Sequence, residues 1–578
     1  MAQSGLRFLL PYMRPYHGAL VRGGLYALIG ATASAFSPTL LGWAVDELLQ
    51  SVRPPVLAAY ALGLVGLACV LALFRYLLRM LTGRIAAGVT YTMSMDLFAS
   101  LLHFDRAAIQ QFGTGDLLSR GTSDFIYIWR FYSAGFQMSM HALFLIGIGC
   151  ALMALTSPLL AAIVISVVAA SVLLQHRLGM VLERSFDAVQ REMGQLSAFA
   201  QEHLGAVRTL SAYGQEHAAA EAYRQLNDGY ARSNLEFVLR SSAISPLPAL
   251  VVRLAAALVL AVGGAQIVAG QLTLGQYVQF IVYLGLLSSA AQSLSQAFER
   301  LQQGSAAAGR IGEVLRRRPA IADTPDAHAP PISGHLRFEN VGVVAEGRWV
   351  LRQIDLDLPA GTTIGIVGAT GAGKSTLLSL VSRAIDPDEG RITLDGHDLR
   401  DLTLDHLRHQ IGYVPQETLL FGMTVAENIT LGLADVADEP LHQAVSAARL
   451  SNDLAQLPQG LATIVGERGA TLSGGQKQRT AIARALVRGP QVLLLDDSLA
   501  SVDTQTAAEI MGELHNASAG RTCLIVSQRL ASVRAADLII VLDQGRIVER
   551  GSHAELIAQD GRYAAMYRRE LRQAEDAA

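Results

Sequence analysis

The sequence predicts a multidomain membrane protein, in which an all-α membrane domain of six helices is followed by an α/β domain. At 578 residues the chain is too long for a single domain. Apolar residues make up 51% of it and its mean hydropathy is +0.33, which is typical of a membrane protein with a soluble part. From residue 335 onward, apolar strand-like runs alternate with helix-forming stretches, which is the pattern of a mainly parallel sheet.

The membrane domain is predicted from six stretches that approach the roughly 20 apolar residues needed to cross a bilayer. They are 19–41, 56–78, 136–155, 159–178, 246–269 and 274–294. The connections 79–135 and 177–245 are long and rich in helix formers, so we expect them to extend the membrane helices.

Arginines indicate the orientation of these spans. Most of those in the first half, such as Arg7, Arg84 and Arg184, fall on one side of the spans. The positive-inside rule therefore predicts a multi-pass protein of the plasma or inner membrane, with both termini and the second domain in the cytoplasm. Arg75, Arg79 and Arg253 lie within spans or near their ends, which indicates either a polar cavity or side chains that reach the lipid headgroups.

A change in composition separates the two domains. The run Arg316-Arg317-Arg318-Pro319 and the prolines after it predict a linker over 311–334, between a membrane domain over 1–310 and a second domain over 335–578. The net charge of −3 gives no reason to expect nucleic acid as a partner.

A glycine-rich loop between the apolar run 364–367 and the helix-forming run 377–380 predicts a phosphate-binding site. Glycines allow consecutive backbone N–H groups to face an anion, and the following helix adds its positive end. Lys374 is expected to reach the outer phosphates, and the Ser375 hydroxyl to bind Mg²⁺. The predicted contacts are Gly368, Thr370, Gly371, Ala372, Gly373, Lys374, Ser375 and Thr376.

The run 492–496 reads as a buried parallel strand that ends in the carboxylate of Asp496. Such a carboxylate supplies the second half of a Mg²⁺–nucleotide site. Together with the loop, it predicts a P-loop ATPase.

A second anion-facing turn, Ser473-Gly474-Gly475-Gln476, opens another predicted helix about a hundred residues after the loop. One nucleotide does not need two such sites. We therefore expect each nucleotide to lie between the phosphate loop of one domain and this turn of another.

Together, these motifs and the six spans resemble those of ATP-binding-cassette (ABC) exporters in their half-transporter form, and the resemblance covers nearly the whole chain. It implies a dimer that binds two molecules of MgATP head to tail. It further implies that Gln416 is a catalytic and Mg²⁺-contacting glutamine, and that Asp503 contacts nucleotide. By the same resemblance, segments 113–124 and 213–224 couple the nucleotide-binding domain to the membrane helices.

Two catalytic positions depart from the family pattern. Asp497 stands where the family has the glutamate that activates the attacking water, and Gln528 stands where it has a histidine. A carboxylate one methylene shorter is displaced by about an ångström, which can cost roughly 10²-fold in rate. A glutamine can donate a hydrogen bond to a phosphate but cannot carry a positive charge.

The family's adenine-stacking aromatic residue is also missing, since Ala345 occupies the aligned position. Trp349 is the candidate replacement. The alternative is that Trp349 only covers the edge of the domain.

Two hypotheses account for these departures. In the first, the chain forms an ordinary homodimer with slow hydrolysis. In the second, which we favour, it is the degenerate subunit of a heterodimer whose second half-transporter carries the faster site. The expected substrate is an amphipathic drug, lipid or peptide taken from or through the membrane lipid. An ATP-gated channel or regulatory protein is a further alternative, whereas six spans argue against a soluble ATPase acting on DNA.

Overall fold

The computed structural model describes residues 2–50, 53–434, 436–498, 509–510, 512 and 520–577. The chain divides into two compact units, Met1–Arg318 and Pro319–Ala578.

All the regular secondary structure in the described part of the first unit is helical. Its helices are α1 (Ala2–Met13), α2 (His17–Gln50), α3 (Pro54–Leu102), α4 (Arg106–Phe112), α5 (Thr114–Gly121), α6 (Ser123–Arg130), α7 (Phe136–Thr156), α8 (Pro158–Gly205), α9 (Val207–Ala212), α10 (Glu216–Ile244), α11 (Leu247–Val268) and α12 (Leu274–Arg316). A single π-helical turn, Phe131–Gly135, joins α6 to α7.

Six helical runs of the described chain are long and apolar enough to cross a membrane, which confirms the predicted number of spans. They are Gly5–Gln50, Pro54–Leu102, Thr114–Thr156, Pro158–Gly205, Glu216–Val268 and Leu274–Arg316. As expected, α3 and α8 continue well past the predicted spans, because the connections that follow contain few helix-breaking residues.

Glycine lets α2 and α12 approach until their backbones touch. A Cβ atom on Gly275 would lie 2.0 Å from the carbonyl oxygen of Gly42, and one on Gly42 would lie 2.7 Å from that of Gly275. The Asp46 carboxylate accepts hydrogen bonds from the Gly275 N–H (2.8 Å) and the Thr273 hydroxyl (2.6 Å), and so caps the start of α12. Close backbone contact through small residues is a common basis of helix packing in membranes.

Buried polar side chains continue the same interface. The Tyr283 hydroxyl donates to the Ala35 carbonyl oxygen at 2.6 Å, and the Gln279 amide donates to the Thr39 hydroxyl at 3.0 Å. All of these polar atoms are paired, so the contact carries no desolvation penalty from unpaired groups.

The described part of the second unit contains two sheets. The strands are β1 (Leu336–Ala345), β2 (Arg348–Leu358), β3 (Thr363–Gly368), β4 (Glu389–Leu394), β5 (His397–Asp398), β6 (Ile411–Val414), β7 (Val492–Asp496), β8 (Thr522–Val526), β9 (Leu538–Asp543) and β10 (Arg546–Gly551). Its helices are α13 (Lys374–Val381), α14 (Leu404–His409), α15 (Val425–Ile429), α16 (Asp438–Ala447), α17 (Ser451–Leu454), α18 (Gly474–Leu486), α19 (His553–Ala558) and α20 (Arg562–Ala577). One sheet has four antiparallel strands in the order β2-β1-β4-β5, and the other has six in the order β10-β9-β3-β8-β7-β6.

The six-stranded sheet is parallel except for β10 at its edge, which confirms the predicted α/β class. Asp496 at the end of β7 pairs with Val526 at the end of β8, and Gly368 ends the neighbouring strand β3. Because parallel strands end at the same edge, the segments that follow them come together there.

The predicted linker differs from the structure at both of its ends. Residues 311–316 form the last part of α12, because this stretch contains no proline that would end the helix. Ser333 and Gly334 are held within the second unit, because both backbone N–H groups donate to the Asp395 carboxylate, at 2.7 and 3.0 Å.

The Gly42–Gly275 contact leads to a stability prediction. The Gly275→Ala substitution should destabilise the first unit by about 1–3 kcal/mol, because the new methyl group overlaps the Gly42 carbonyl and separates α2 from α12. The measurement is thermal unfolding of the purified full chain in detergent.

Gly285→Ala is the matched control on the same helix, where a Cβ atom would meet nothing within 4 Å. This variant should be neutral or slightly stabilising, since alanine favours helix. Equal melting temperatures for the two variants would contradict the contact.

Candidate nucleotide-binding site

A cavity of about 240 Å³ lies at the edge of the parallel sheet where β3, β7 and β8 end. Most of the predicted site residues line it. The lining consists of Val350, Thr370, Gly371, Gly373, Lys374, Ser375, Thr376, Gln416, Asp496, Asp497, Val526 and Gln528. The other two predicted loop contacts, Gly368 and Ala372, are not among the lining residues, and Ala372 is buried.

The loop adopts a backbone that favours glycine. Gly371 and Gly373 have φ angles of +82° and +100°, in the left-handed region that side chains disfavour. A Cβ atom on Gly373 would also lie 2.8 Å from the Val350 carbonyl oxygen. The chain can therefore turn sharply into α13, which begins at Lys374.

The Lys374 ammonium lies at the centre of the loop. It donates hydrogen bonds to the carbonyl oxygens of Gly368 (2.8 Å) and Ala369 (2.9 Å), and its residue is buried. Burial lowers the pKa of Lys374, while the nearby Asp497 and Asp496 carboxylates oppose this shift. A cation held by two neutral carbonyls favours the approach of an anion, and phosphate would compete with these carbonyls for the ammonium.

Ser375 and Asp496 form the candidate Mg²⁺ site. The Ser375 hydroxyl donates to the Asp496 carboxylate at 3.1 Å. Burial raises the pKa of Asp496, and the Asp497 charge adds to this effect, while the Ser375 hydrogen bond opposes it. With the Gln416 amide in the same cavity, the site offers the oxygen ligands that Mg²⁺ prefers.

Asp497 is held in a constrained position beside this pair. Its φ angle is +45°, which is uncommon for a residue with a side chain. Its N–H donates to the Val526 carbonyl oxygen at 2.9 Å, and its carboxylate accepts from the Gln528 backbone N–H at 3.3 Å. The short side chain therefore lies against the Gln528 backbone, and it is buried.

The turn Ser473–Gln476 forms the start of α18 and lies outside the lining of this cavity. The Ser473 hydroxyl accepts from the Gln476 N–H (3.3 Å), and the Gln476 side chain accepts from the Ser473 N–H (2.9 Å). Arg479 anchors the helix through two hydrogen bonds to Asp453, at 2.6 and 2.8 Å. Ser473 and the following Gly474 are exposed. The turn is thus preorganised at the surface of the unit.

Trp349 lies next to the cavity but does not line it. On β2 it pairs with Val344, and its ring centroid is 5.5 Å from the Arg352 guanidinium. Because side chains alternate along a strand, the neighbouring Val350 faces the cavity while Trp349 faces away from it. Asp503 lies outside the described residues.

Two lining residues were not expected from the sequence. Val526 ends β8 beside the predicted carboxylate, so its position follows from the parallel-strand rule. Val350 belongs to the antiparallel sheet, for which the alternation of Ile354, Leu356 and Leu358 with aspartates was the available signal.

The candidate Mg²⁺ site leads to a binding prediction. The Asp496→Asn substitution should weaken Mg²⁺-dependent ATP binding about tenfold or more, since a charged ligand becomes neutral. Because the pKa of Asp496 is raised, protonation should reduce wild-type Mg²⁺–ATP affinity at a higher pH than for an exposed aspartate. The variant should lack this pH dependence. ATP titrations with Mg²⁺ or a chelator, at several pH values, measure both effects.

Asp497→Asn is the matched control. It makes the same chemical change one residue further on, where the carboxylate contacts the Gln528 backbone. If both variants lost Mg²⁺ dependence equally, Asp496 would not be the specific ligand.

Comparison with known proteins assigns both units to ABC transporters. A family model described as "ABC transporter transmembrane region" matches residues 20–291, and one described as "ABC transporter" matches residues 351–500.

Individual relatives extend the similarity over nearly the full length. The chain is 33% identical to a probable multidrug resistance ABC transporter ATP-binding/permease protein, YheI, of Bacillus subtilis, over 93% of this chain and 92% of that protein. It is 32% identical to the mitochondrial potassium channel ATP-binding subunit of Xenopus tropicalis, over 98% of this chain and 84% of that protein.

A solved structure of a bacterial Atm1-family ABC exporter with ATP bound superposes with a TM-score of 0.83, at 29% identity. The match covers 96% of this chain and 98% of that one. With a six-helix membrane unit and a P-loop unit in one polypeptide, the chain belongs to the ABC transporter family as an exporter-type half-transporter.

Proposed function

We propose that this ABC exporter chain works as one subunit of a heterodimer that exports an amphipathic drug, lipid or peptide at the expense of ATP. In this proposal its own phosphate loop forms a slow, degenerate site, and its Ser473–Gln476 turn completes the faster site of the partner. The observation that carries the proposal is that Asp497 and Gln528 replace both catalytic groups of the cavity, while the turn at Ser473 keeps its full capping box.

The geometry of Asp497 supports slow hydrolysis. A base must reach a water molecule in line with the γ-phosphate. The Asp497 carboxylate instead lies against the Gln528 backbone N–H, and its left-handed backbone fixes the direction in which the side chain leaves the chain. The aspartate side chain is one methylene shorter than that of glutamate, so it extends less far from this position toward such a water molecule.

The turn at Ser473 supports a role toward a second nucleotide. Its N–H groups and hydroxyl lie at the exposed start of a helix whose position is fixed by the Arg479–Asp453 pair. Such a helix start favours phosphate. It is not part of the lining of the chain's own cavity, so a nucleotide held by a partner is the natural ligand.

A polar cluster in the first unit supports transmission of movement through segment 113–124. The buried Arg120 guanidinium donates to Asp116 (2.8 Å), Glu313 (2.9 Å) and the Arg310 carbonyl oxygen (2.7 Å). Asp124, also buried, forms an ion pair with Arg310. Breaking a buried pair is costly, so displacement of this segment moves the end of α12 with it.

The remaining parts of the proposal follow from the arginine distribution and the family. Both termini and the second unit lie in the cytoplasm, and the protein spans the plasma or inner membrane. ATP binding closes the paired nucleotide-binding units, and hydrolysis in the partner's site resets them.

A regulatory or channel-gating role is the second candidate, because one relative is named as the ATP-binding subunit of a mitochondrial potassium channel. It predicts ion flux driven by the membrane potential without ATP turnover. Flux measurements in vesicles distinguish it from ATP-dependent accumulation of a substrate.

The degenerate site leads to a rate prediction. When two copies of the purified chain pair with each other, they should hydrolyse ATP slowly, and the double substitution Asp497→Glu and Gln528→His should raise this rate by about 10²-fold, since it restores the reach of the base and a cationic group. Steady-state ATPase assays in lipid nanodiscs provide the measurement.

Asp497→Asn combined with Gln528→His is the control, because it restores the histidine without a base and should remain slow. Rapid turnover by the wild-type chain alone would overturn the heterodimer proposal in favour of a homodimer.

The division of labour between the two sites leads to a second prediction. In the complex with the second half-transporter, Ser473→Ala should lower ATP turnover by about tenfold or more, because it disrupts the turn that serves the fast site. Lys374→Ala should lower turnover less, although it removes nucleotide from the slow site. The reverse order of effects would show that the chain's own site is the active one.

A further inference from the structure

A basic cavity of about 930 Å³, which we call the arginine cavity, lies in the first unit between α3, the π-helical turn and α12. Arg75, Arg79, Arg130 and Arg300 contribute to its lining, against one acidic residue, Glu299. These residues lie at or just beyond the ends of three predicted spans, so the cavity is at the depth of the lipid headgroups on one side.

The four arginines converge without carboxylate partners among the described residues. None of them forms an ion pair there, although Arg120 of α5 and Arg310 of α12 do. The Glu299 carboxylate accepts a hydrogen bond from Gln303 at 3.0 Å. Four guanidinium groups that share one space repel each other unless an anion lies between them. Isolated arginines that reach for headgroups would have no reason to converge.

One side of the arginine cavity has an unusual backbone conformation and an unpaired side-chain hydroxyl. The chain makes a π-helical turn over Phe131–Gly135, a rare widening that is frequent at functional sites. The Ser133 side chain lines the cavity from this turn, and its buried hydroxyl has no hydrogen-bond partner in the described structure. An unpaired buried hydroxyl is costly, and a ligand oxygen would satisfy it.

A smaller pocket of about 290 Å³, lined by apolar residues together with Arg75, Gln137, His141 and Ser293, adjoins the arginine cavity. Arg75 and Gln137 line both spaces, and the smaller one continues between α2 and α3 along Leu71, Phe74 and Leu78. A charged space that continues along a run of apolar side chains suits a molecule with a charged head and an apolar body.

We propose that the two spaces together bind one amphipathic anion, with its phosphate or carboxylate head among the four arginines and its apolar body in the smaller pocket. Guanidinium groups bind such oxyanions through paired hydrogen bonds, which a cationic or neutral head cannot accept. Only the further identification of this anion with the exported substrate rests on the proposed function; binding itself does not.

Trp129 provides a direct reporter, because it lines the arginine cavity and is one of only three tryptophans. With Trp43→Phe and Trp349→Phe, the full chain in a neutral maltoside detergent retains this single fluorophore. Dodecyl phosphate should change its emission in a saturable manner. Dodecyltrimethylammonium and inorganic phosphate should bind at least about tenfold more weakly, since each lacks one half of the required chemistry.

Substitutions test the role of charge. Arg75→Gln or Arg300→Gln should weaken dodecyl phosphate binding about tenfold, whereas Arg300→Lys should retain most of it and Glu299→Gln should strengthen it. Arg253→Gln is the control, because this exposed arginine of α11 lies outside both linings and should have no effect. Unchanged melting temperatures exclude loss of folding as the cause.

Two outcomes would overturn the site. One is equally tight binding of the cationic detergent, and the other is a pattern in which the Arg75 and Arg300 variants behave like Arg253→Gln. Equally tight binding of inorganic phosphate would overturn the amphipathic part, leaving a simple anion site.

The source of the anion is resolved in nanodiscs. If phosphatidylglycerol discs abolish probe binding that phosphatidylcholine discs permit, the occupant is a bilayer lipid; if binding persists in both, it is a soluble amphipathic anion. Binding without ATP-driven accumulation of dodecyl phosphate in vesicles, with the partner present, would leave the site intact and remove its identification with the transported substrate. The ATPase assays test the heterodimer independently.

Discussion

The ends of three parallel strands at one sheet edge are the constraint on which the nucleotide site depends. The register that pairs Asp496 with Val526, and places Gly368 on the adjoining strand, brings the loop, the candidate Mg²⁺ ligand Asp496 and the Gln528 segment into one small cavity. This register alone brings together residues that are far apart in the chain, because the strands are buried and their hydrogen bonds fix the alignment. Once the register is fixed, side-chain length decides which chemistry is possible. Asp497 has the correct place in the chain and a short reach.

The same logic separates binding from hydrolysis. Binding requires backbone N–H groups, a lysine and two oxygen ligands, and the cavity supplies them all. Hydrolysis additionally requires a base whose position is accurate to about an ångström. The contact between the Asp497 carboxylate and the Gln528 backbone shows how two altered positions act on each other, since the side chain of one is held by the main chain of the other. A change of the side chain at position 497 therefore alters a contact with the main chain at position 528.

Much of this arrangement is predictable from sequence, because buried parallel strands are continuous apolar runs. The runs at 364–367, 492–495, 523–526 and 538–542 all correspond to observed strands, and the motifs at their ends are local in sequence. The four-stranded antiparallel sheet was not predicted, since its half-buried strands give only a weak alternating signal. The left-handed backbone at Asp497 depends on hydrogen bonds to a distant strand. A polar cavity at Arg75 and Arg79 was one of two interpretations of the sequence, but the contributions of Arg130 and Arg300 were not predicted, because periodicity does not reveal which helix faces meet.

Helix α12 connects three separate features of the first unit. It is continuous for 43 residues from Leu274 to Arg316, with its first turn pinned by Asp46, the arginine cavity near its middle and the ion pair with Asp124 near its end. At about 1.5 Å per residue, only some 15 Å of unbroken helix separates Arg300 from Arg310. The helix is therefore a continuous rigid element whose first turn is held in place. In the proposed anion-bound state, a ligand that drew Arg300 inward would therefore act on the Arg120–Asp124 cluster through continuous helix, with no hinge between the two.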